Sequence, residues 1–274
     1  MGTAVVLLLV VGAAVWWSQP VTVSTAAGGQ ASVTLPDGST VRLNGATTLS
    51  YPRGFDRLPG IGADIRSVTL QGEAYFQVKP GSRRFRVRTE NATAEVLGTT
   101  FNVHARRHGD TPSTEIVLSS GRLRVFGAPA SASRSESGNA EPREASTEVS
   151  PASVLLQEAG ARTEVTGVDG APTAPKVIDL KYADAWRTGG FAVRNAPVSV
   201  ILEELETQFG TSLRLGTFVR PTDTLTLHYT RSVELEEVLR DVCLLQGLTY
   251  RKDAQGYVLI PAEPSAERSE PSGS

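Results

Sequence analysis

Glu73, in the run GEAYFQV, is the residue of this sequence whose setting most readily suggests chemistry. It stands beside a glycine in a stretch that otherwise alternates like a β-strand. A glycosidase would need a second carboxylate nearby. Asp64 and Glu95 are close in the sequence, but nothing in their spacing nominates either. We therefore predict that Glu73 is not catalytic and that the chain is not an enzyme.

Metal and thiol chemistry have little support in the sequence. His104 and His108 have the i, i+4 spacing of a helical metal pair, but the segment NVHARRHGD is short, rich in arginine and follows a strand-like run. Cys243 is the single cysteine, which excludes an intrachain disulfide. It falls on the apolar face of a predicted helix, where we expect it to pack as a small hydrophobe. We predict no metal site and no cofactor.

The charge of the chain restricts its partners. There are 27 Lys and Arg residues against 29 Asp and Glu, a net charge of −2. This argues against nucleic-acid binding, because nucleic-acid-binding domains carry a basic excess. A local basic strand is formed by Arg83, Arg84, Arg86 and Arg88. This cluster is either a solvated face or a docking surface for an acidic partner.

The sequence opens with the apolar run MGTAVVLLLVVGAAVWW. About 17 such residues reach about 25 Å as a helix, within the range that spans a membrane. A signal peptide would want a basic region before the apolar run. Trp16 and Trp17 instead suit the interfacial end of a retained anchor. We predict a transmembrane helix at residues 1–20.

Residues 21–165 alternate with a period of two, which is typical of strands. Pro36-Asp37-Gly38 between two alternating runs predicts a turn. Short, closely spaced strands predict a mainly β fold, arranged as an all-β sandwich or a solenoid-like module. Residues 127–153 are rich in Ser, Ala, Pro and Glu, and we predict that they form a disordered insertion in a β-loop.

The pattern changes after residue 165. Residues 166–185 are polar and contain proline, as a linker does. Residues 186–261 show two helices bracketed by strands and predict a small α+β domain. The face of the first helix consists of Val198, Ile201, Leu202, Leu205 and Phe209. Residues 262–274 are predicted to be a disordered tail.

Several segments in series resemble the signatures of the FecR family, bacterial inner-membrane regulators of extracytoplasmic-function sigma factors that are often called anti-sigma factors. They are LPDGSTVRLNGATTLSYPRGF, VTLQGEAYFQV, FRVRT, VLGTTFNV and GRLRV, and their order and spacing match over nearly all of residues 30–165 apart from the insertion. The segment GFAVRNAPVSVILEELETQFG is similar to the family's C-terminal domain, an STN domain related to the small domain of secretins and TonB-dependent receptors.

The resemblance implies a single-pass inner-membrane protein with the bulk of its chain in the periplasm. Such a protein transmits a signal from a TonB-dependent outer-membrane receptor, in iron or nutrient uptake, to a sigma factor. Contact with the sigma factor is expected only if a cytoplasmic segment precedes the membrane helix. The resemblance also implies that Glu73 is a structural polar group at a turn, with Tyr75 and Phe76 on opposite strand faces.

The predicted α+β domain offers a surface for the receptor. Small domains of this sort leave a sheet edge open, and such edges pair with partner strands. We expect the receptor's signalling domain to bind the strands FAVRN and LTLHYT. The candidate contact residues are Phe191, Val193, Asn195, Leu225, Leu227 and Tyr229.

Some members of the family cut themselves at a Gly-Thr bond, and VLGTTFNV carries Gly98-Thr99 in the matching place. The Thr99 hydroxyl would attack the Gly98 carbonyl, and water would hydrolyse the resulting ester. A hydroxyl needs a base or strain for this step, and Glu73, Glu95 or His104 could serve. The alternative is that Gly98 permits a bulge and Thr99 is a good strand residue.

A different class of function stays open beside signal transmission. The β-module could bind envelope glycan or protein without any sigma regulation. That reading requires an aromatic cluster on the module's surface. Tyr51, Phe55, Tyr75 and Phe76 instead resemble core residues, so we favour the regulator.

Overall fold

Residues 19–53, 55, 65–127, 152–216 and 224–262 are described by a computed structural model. The predicted membrane helix, apart from residues 19 and 20, lies outside this part of the chain. So do nearly all of the predicted insertion and tail, at residues 128–151 and 263–274. Within the described ranges, no helix is long and apolar enough to cross a membrane.

The first unit of the fold is a single sheet of thirteen strands, which we call the β-unit. The predicted mainly β fold is confirmed, as a curled sheet rather than as a stack of repeated coils. Its strands are β1 Pro20–Ser24, β2 Ala31–Thr34, β3 Thr40–Leu43, β4 Thr48–Pro52, β5 Ile65–Gln77, β6 Arg84–Arg88, β7 Ala92–Val96, β8 Thr100–His108, β9 Thr111–Ser120, β10 Leu123–Gly127, β11 Ser153–Leu156, β12 Ala161–Thr166 and β13 Lys176–Val177.

The long strand β5 divides this sheet into two halves. Its first part pairs with β4 and β6, and its second part pairs with β3 and β8. Gly72 lies between the two parts with φ +99°, and a Cβ there would lie 2.7 Å from Thr47 Cα. Only glycine fits this conformation and this contact. The first half-sheet also contains β1, β7, β10 and β11, and the second contains β2, β9, β12 and β13.

The two half-sheets close around one apolar core. In β6 (RFRVR), Phe85 and Val87 are buried while the arginines face outward. Phe76, from the second part of β5, stacks on Phe101 with ring centroids 5.2 Å apart. It also meets Phe85 edge-on at 6.3 Å. Alternation in each strand therefore supplies one shared core, as the period of two predicted.

The segment predicted as a linker is held to the β-unit. Within residues 166–185, β13 pairs with β12, and the Thr163 hydroxyl donates to the carbonyl of Thr173 at 2.7 Å. Asn91 donates its side-chain amide to the Gly167 carbonyl at 3.1 Å. The segment is therefore not the free linker that its composition suggested, because its backbone polar groups have partners in the sheet.

The second unit, which we call the C-terminal unit, is a small α+β structure. It contains α1 Lys181–Asp184, a 3₁₀ helix Ala185–Thr188, β14 Phe191–Pro197, α2 Val198–Phe209, β15 Leu213–Leu215, β16 Thr224–Tyr229, α3 Leu235–Gln246, β17 Leu248–Asp253 and β18 Gly256–Pro261. β14 pairs with β16, and β18 lies between β15 and β17.

Both predicted helices of this unit are confirmed. Helix α2 buries Val198, Ile201, Leu202 and Leu205, the face that the sequence indicated. It ends at Gly210, whose left-handed conformation (φ 68°) lets the chain leave the helix. In α3, Cys243 is buried as predicted, and burial raises the pKa of its thiol to about 11.

Candidate functional site

Helix α2 of the C-terminal unit lies directly against the β-unit. The backbone N–H of Gly28, between β1 and β2, donates to the carbonyl of Thr207 in α2 at 2.9 Å. Gly45, between β3 and β4, approaches the same carbonyl, and a Cβ there would lie 2.1 Å from it. No side chain fits such a contact. The two glycines therefore allow the helix to reach the sheet.

Charged side chains complete this interface. Strand β8 presents His104 and Arg106 to Glu204 of α2. His104 Nε2 lies 3.2 Å, and Arg106 Nε 3.4 Å, from Glu204 Oε1. All three side chains are at least half buried. We call these three residues the interface cluster.

The interface cluster shifts the pKa values of both His104 and Glu204. Burial alone would lower the pKa of His104, but the carboxylates of Glu204 and Glu73 outweigh it and raise that pKa to about 9. Burial alone would raise the pKa of Glu204, but His104 and Arg106 outweigh it and lower that pKa to about 2. In a neutral ring, Nε2 of His104 accepts from Arg106 Nε at 2.7 Å. The two carboxylates favour the protonated ring, and the Arg106 guanidinium opposes it without outweighing them. A protonated Nε2 cannot accept a hydrogen bond, so the contact with Arg106 Nε is lost when the ring takes up its proton.

A second, weaker pair follows the first. His108 Nδ1 lies 3.4 Å from Glu203 Oε2, with both side chains substantially exposed. The two histidines therefore each meet one member of the Glu203-Glu204 dipeptide. They lie on strand β8, not on a helix. Among the described residues, no three His, Cys, Asp or Glu side chains group together to hold a metal ion.

Glu73 lies beneath the interface cluster as a structural carboxylate. It is buried, and it accepts from the side-chain amides of Asn44 at 2.7 Å and Asn102 at 2.8 Å. It pairs across strands with His104. The prediction that it stands at a turn was wrong, because it lies inside β5, directly after the bend at Gly72. Tyr75 and Phe76 are consecutive residues of the same strand and lie on opposite faces, Phe76 against Phe101 in the core and Tyr75 against Arg187.

A cleft of about 510 Å³ opens beside the interface cluster, between the two units. Glu73 and Asn102 line it on the side of the β-unit, and Trp186 and strand β14 line it on the other. The Trp186 carbonyl accepts from Gln30 Nε2 at 3.1 Å, and the Arg187 guanidinium lies 3.7 Å from the centre of the Tyr75 ring. These contacts hold the 3₁₀ helix against the β-unit.

The residues predicted to contact a receptor occupy different depths. Phe191 and Leu227 belong to the core of the C-terminal unit, so their side chains are not at its surface. Val193, Leu225 and Tyr229 are partly buried against that core. Asn195 is exposed.

Strands β14 and β16 pair with each other and with no other described strand. The whole of β14 lines the cleft. At the end of β16, the Tyr229 hydroxyl donates to Asp241 Oδ2 at 2.5 Å. Within the described ranges, the outer edge of β16 therefore has no strand partner.

Local packing and hydrogen bonding explain why glycine and threonine occupy positions 98 and 99. A Cβ at Gly98 would lie 2.7 Å from Pro80 Cα. The Thr99 hydroxyl donates to the carbonyl of Arg122 at 2.7 Å. A register shift lies between Thr100 and Phe101, inside β8, whereas the predicted bulge was at Gly98, which precedes the strand.

None of the three candidate bases is hydrogen-bonded to the Thr99 hydroxyl. His104 is five residues further along the chain and β8, which corresponds to about 16 Å. Glu73 pairs with His104 and is similarly remote. Glu95 is ion-paired with Arg84 and Arg86.

The aromatic residues of the β-unit that could have formed a glycan platform are internal. Phe55 and Phe76 are fully buried, Tyr75 is buried, and Tyr51 packs against the same core. The prediction of core residues is confirmed for Phe55 and Phe76, and for Tyr51 at the edge of the core. Tyr75 is outside that core, and its ring is covered by Arg187 of the C-terminal unit. The stacking faces that a sugar would need are covered by protein.

Comparisons with known proteins agree with this architecture. Residues 21–124 match the model of the FecR protein family. Two crystal structures of a candidate anti-sigma factor from Parabacteroides distasonis are similar to this chain, each at 26% sequence identity. Their TM-scores are 0.71 and 0.70, and the match covers 89% of this chain and 100% of each of theirs. No curated protein sequence matches the chain.

Proposed function

Because residues 21–124 belong to the FecR family, we propose that this chain regulates an extracytoplasmic-function sigma factor. The observation that carries the proposal is the likeness to the candidate anti-sigma factor, which extends over 89% of the chain and so includes both units. The family match by itself ends at residue 124. The C-terminal unit is therefore part of the shared architecture.

We propose further that the chain is anchored in the inner membrane by residues 4–17 and that its two units lie in the periplasm. The uninterrupted apolar run that ends in Trp16-Trp17 supports an anchor. Carbonate extraction of membranes should leave the chain in the pellet. A mature protein that starts near Ala27 and is released by carbonate would contradict the anchor.

The C-terminal unit is the part proposed to bind the signalling domain of a TonB-dependent receptor, in iron or nutrient uptake. The outer edge of β16 supports strand addition, because strand edges bind partner strands through their backbone. Exposed side chains near it would supply specificity. Removal of residues 186–274 should abolish capture of the receptor domain. Undiminished capture by the β-unit would contradict this assignment.

In this proposal the interface cluster carries the signal between the units. A receptor domain that binds β16 acts on the unit that holds Glu204, and Glu204 is paired with two residues of the β-unit. Binding that moves α2 would break or strengthen these contacts. A ligand shifts such an equilibrium only as far as its affinities for the two states differ.

The regulatory proposal is tested by transcription. Deletion of the gene in its host should change the transcript levels of one set of genes that share an extracytoplasmic-function sigma factor, and complementation with the full chain should restore them. An unchanged transcript profile under both iron-replete and iron-poor growth would contradict the proposal. The alternative, a glycan-binding module, is less well supported because the aromatic residues considered for it are internal.

A further inference from the structure

The outer face of the first half-sheet carries a regular array of arginines. Cross-strand pairing places Arg86, Glu95 and Arg124 in one row, because Glu95 is opposite Arg86 on β6 and opposite Arg124 on β10. The next row contains Arg88, opposite Thr93. Arg84 lies two residues from Arg86 and so faces the same side. We call this surface the arginine face.

Most of the positive charge on the arginine face is not neutralised. Glu95 pairs with Arg86 and, more loosely, with Arg84, whose side chain is 66% exposed. Arg88 and Arg124 are exposed, and they make no ion pair with any described residue. The three adjacent strands β6, β7 and β10 therefore carry four arginines and one carboxylate on this face.

Apolar side chains lie among these arginines. Leu155 of β11 is opposite Arg124 and is 44% exposed. Phe126 of β10 is opposite Thr93 and partly exposed. Leu97, directly after β7, is 54% exposed. The face thus combines cations with apolar groups that water solvates poorly.

The outer face of the second half-sheet is different. Two of its arginines have carboxylate partners: Arg162 pairs with Glu115 and Glu164, and Arg106 pairs with Glu204 of the C-terminal unit. A third, Arg42 of β3, donates to the Gln30 side chain and lies over the Trp186 ring of the C-terminal unit. That unit covers part of this face. On the arginine face, by contrast, Arg88 and Arg124 have no carboxylate partner among the described residues, and the described part of the C-terminal unit does not cover it. The composition of this face is therefore not a general property of the β-unit.

We propose that the arginine face rests on an anionic phospholipid surface. Guanidinium groups bind phosphate oxygens in pairs, and interfacial proteins place apolar side chains just below the headgroups. A basic surface beside a membrane is attracted to anionic lipid. Each group on the face therefore has a partner in the headgroup layer.

The position of β1 favours a membrane over an acidic protein. β1 belongs to the same half-sheet and begins at Pro20, three residues after the apolar run ends at Trp17. β4 and β5 separate β1 from β6, so the first arginine strand lies about 14 Å from β1. An anchor in the membrane would hold the arginine face within reach of the headgroups. The inference rests on the proposed anchor in this one respect.

The test measures whether the arginine face approaches lipid. Ser153, exposed at the start of β11 and opposite Phe126, is replaced by cysteine and labelled with a fluorophore. The native Cys243 is buried and does not compete for the label. The full chain is reconstituted into vesicles of phosphatidylcholine alone or with phosphatidylglycerol, each containing a headgroup-attached quencher. We expect quenching with phosphatidylglycerol and much less without it.

Matched charge reversals separate the arginine face from the rest of the molecule. R88E with R124E should reduce quenching to the level of the neutral vesicles. R251E with K252E, an equal charge change on β17, should leave it unchanged. A label at Gln255, in the turn after β17, should stay unquenched in both vesicles.

Two results would overturn the inference. One is quenching at Ser153 that is equal in neutral and anionic vesicles, or that R88E with R124E leaves intact. The other is an absence of quenching on anionic vesicles together with shielding of the label by added polyglutamate. That result would assign the arginine face to an acidic protein. If carbonate releases the chain, the anchor fails separately. Cosedimentation with preformed vesicles, using the same variants, then decides the inference.

Discussion

His104 of β8 and Glu204 of α2 form a partly buried ion pair that joins the two units, with Nε2 and Oε1 3.2 Å apart. Arg106 reaches the same carboxylate oxygen from the same strand. Glu204 has no partner of opposite charge within the described part of its own unit. The position of α2 therefore depends on charges that belong to the β-unit.

Replacement of Glu204 by glutamine should loosen the interface. The change leaves His104 and Arg106 without their shared carboxylate in a mostly buried setting, which costs about 2 kcal/mol. The population with α2 detached should rise roughly thirtyfold. Hydrogen exchange of the backbone amides of α2 and β8 measures this opening.

Glu203→Gln is the matched control for this substitution. Glu203 precedes Glu204 in the same helix, but its pair with His108 is largely exposed. Exposed pairs contribute well under 1 kcal/mol, so exchange in α2 should stay close to that of the wild type. Equal exchange in the two variants would show that the buried pair does not hold the helix.

The stability of the protein should depend on pH through His104. Its pKa rises from 6.5 to about 9 in the folded chain. The protonated ring therefore contributes fully below about pH 6.5, and the contribution is lost as the pH rises through about 9, by up to about 3 kcal/mol. Urea titrations at several pH values, followed by tryptophan fluorescence, should show the loss in the wild type. His104→Gln should lack this component, and identical pH profiles would contradict the assignment.

A side chain at Gly45 should separate the units without unfolding the β-unit. The Cβ of Gly45→Ala would lie 2.1 Å from the Thr207 carbonyl oxygen, so α2 must withdraw. Limited proteolysis should then release the C-terminal unit faster. Gly81→Ala is the control, because its Cβ meets only side-chain atoms of Arg66, at 3.4 Å or more. Wild-type proteolysis of Gly45→Ala would mean that α2 does not touch the sheet as described.

These residues also show how far the sequence predicts the structure. The alternation in RFRVR and the apolar face of α2 were sufficient to place both elements, because each depends on local periodicity. The contact between Gly45 and Thr207 has no local signal, since it depends on how two units meet. The spacing of His104 and His108 could be seen in the sequence. Their pairing with Glu204 and Glu203 could not be predicted from it, because it depends on the packing of α2 against β8.

The Gly98-Thr99 bond should stay intact in the purified chain. The Thr99 hydroxyl is engaged with the Arg122 carbonyl, and none of the three candidate bases is hydrogen-bonded to it. Mass spectrometry after prolonged incubation should find no fragment that begins at Thr99. A fragment with that N-terminus in the wild type, absent from Thr99→Ala, would establish self-cleavage.

We propose that the interface cluster transmits the signal of a sigma-factor regulator. The most direct measurement is the transcription of the sigma-dependent genes in strains that carry the wild-type chain, Glu204→Gln or Glu203→Gln at equal protein levels. We predict that Glu204→Gln shifts basal transcription or abolishes its response to the inducing condition, and that Glu203→Gln behaves like the wild type. Wild-type transcription in the Glu204→Gln strain, with exchange data showing that α2 has detached, would contradict a role of the interface cluster in transmission.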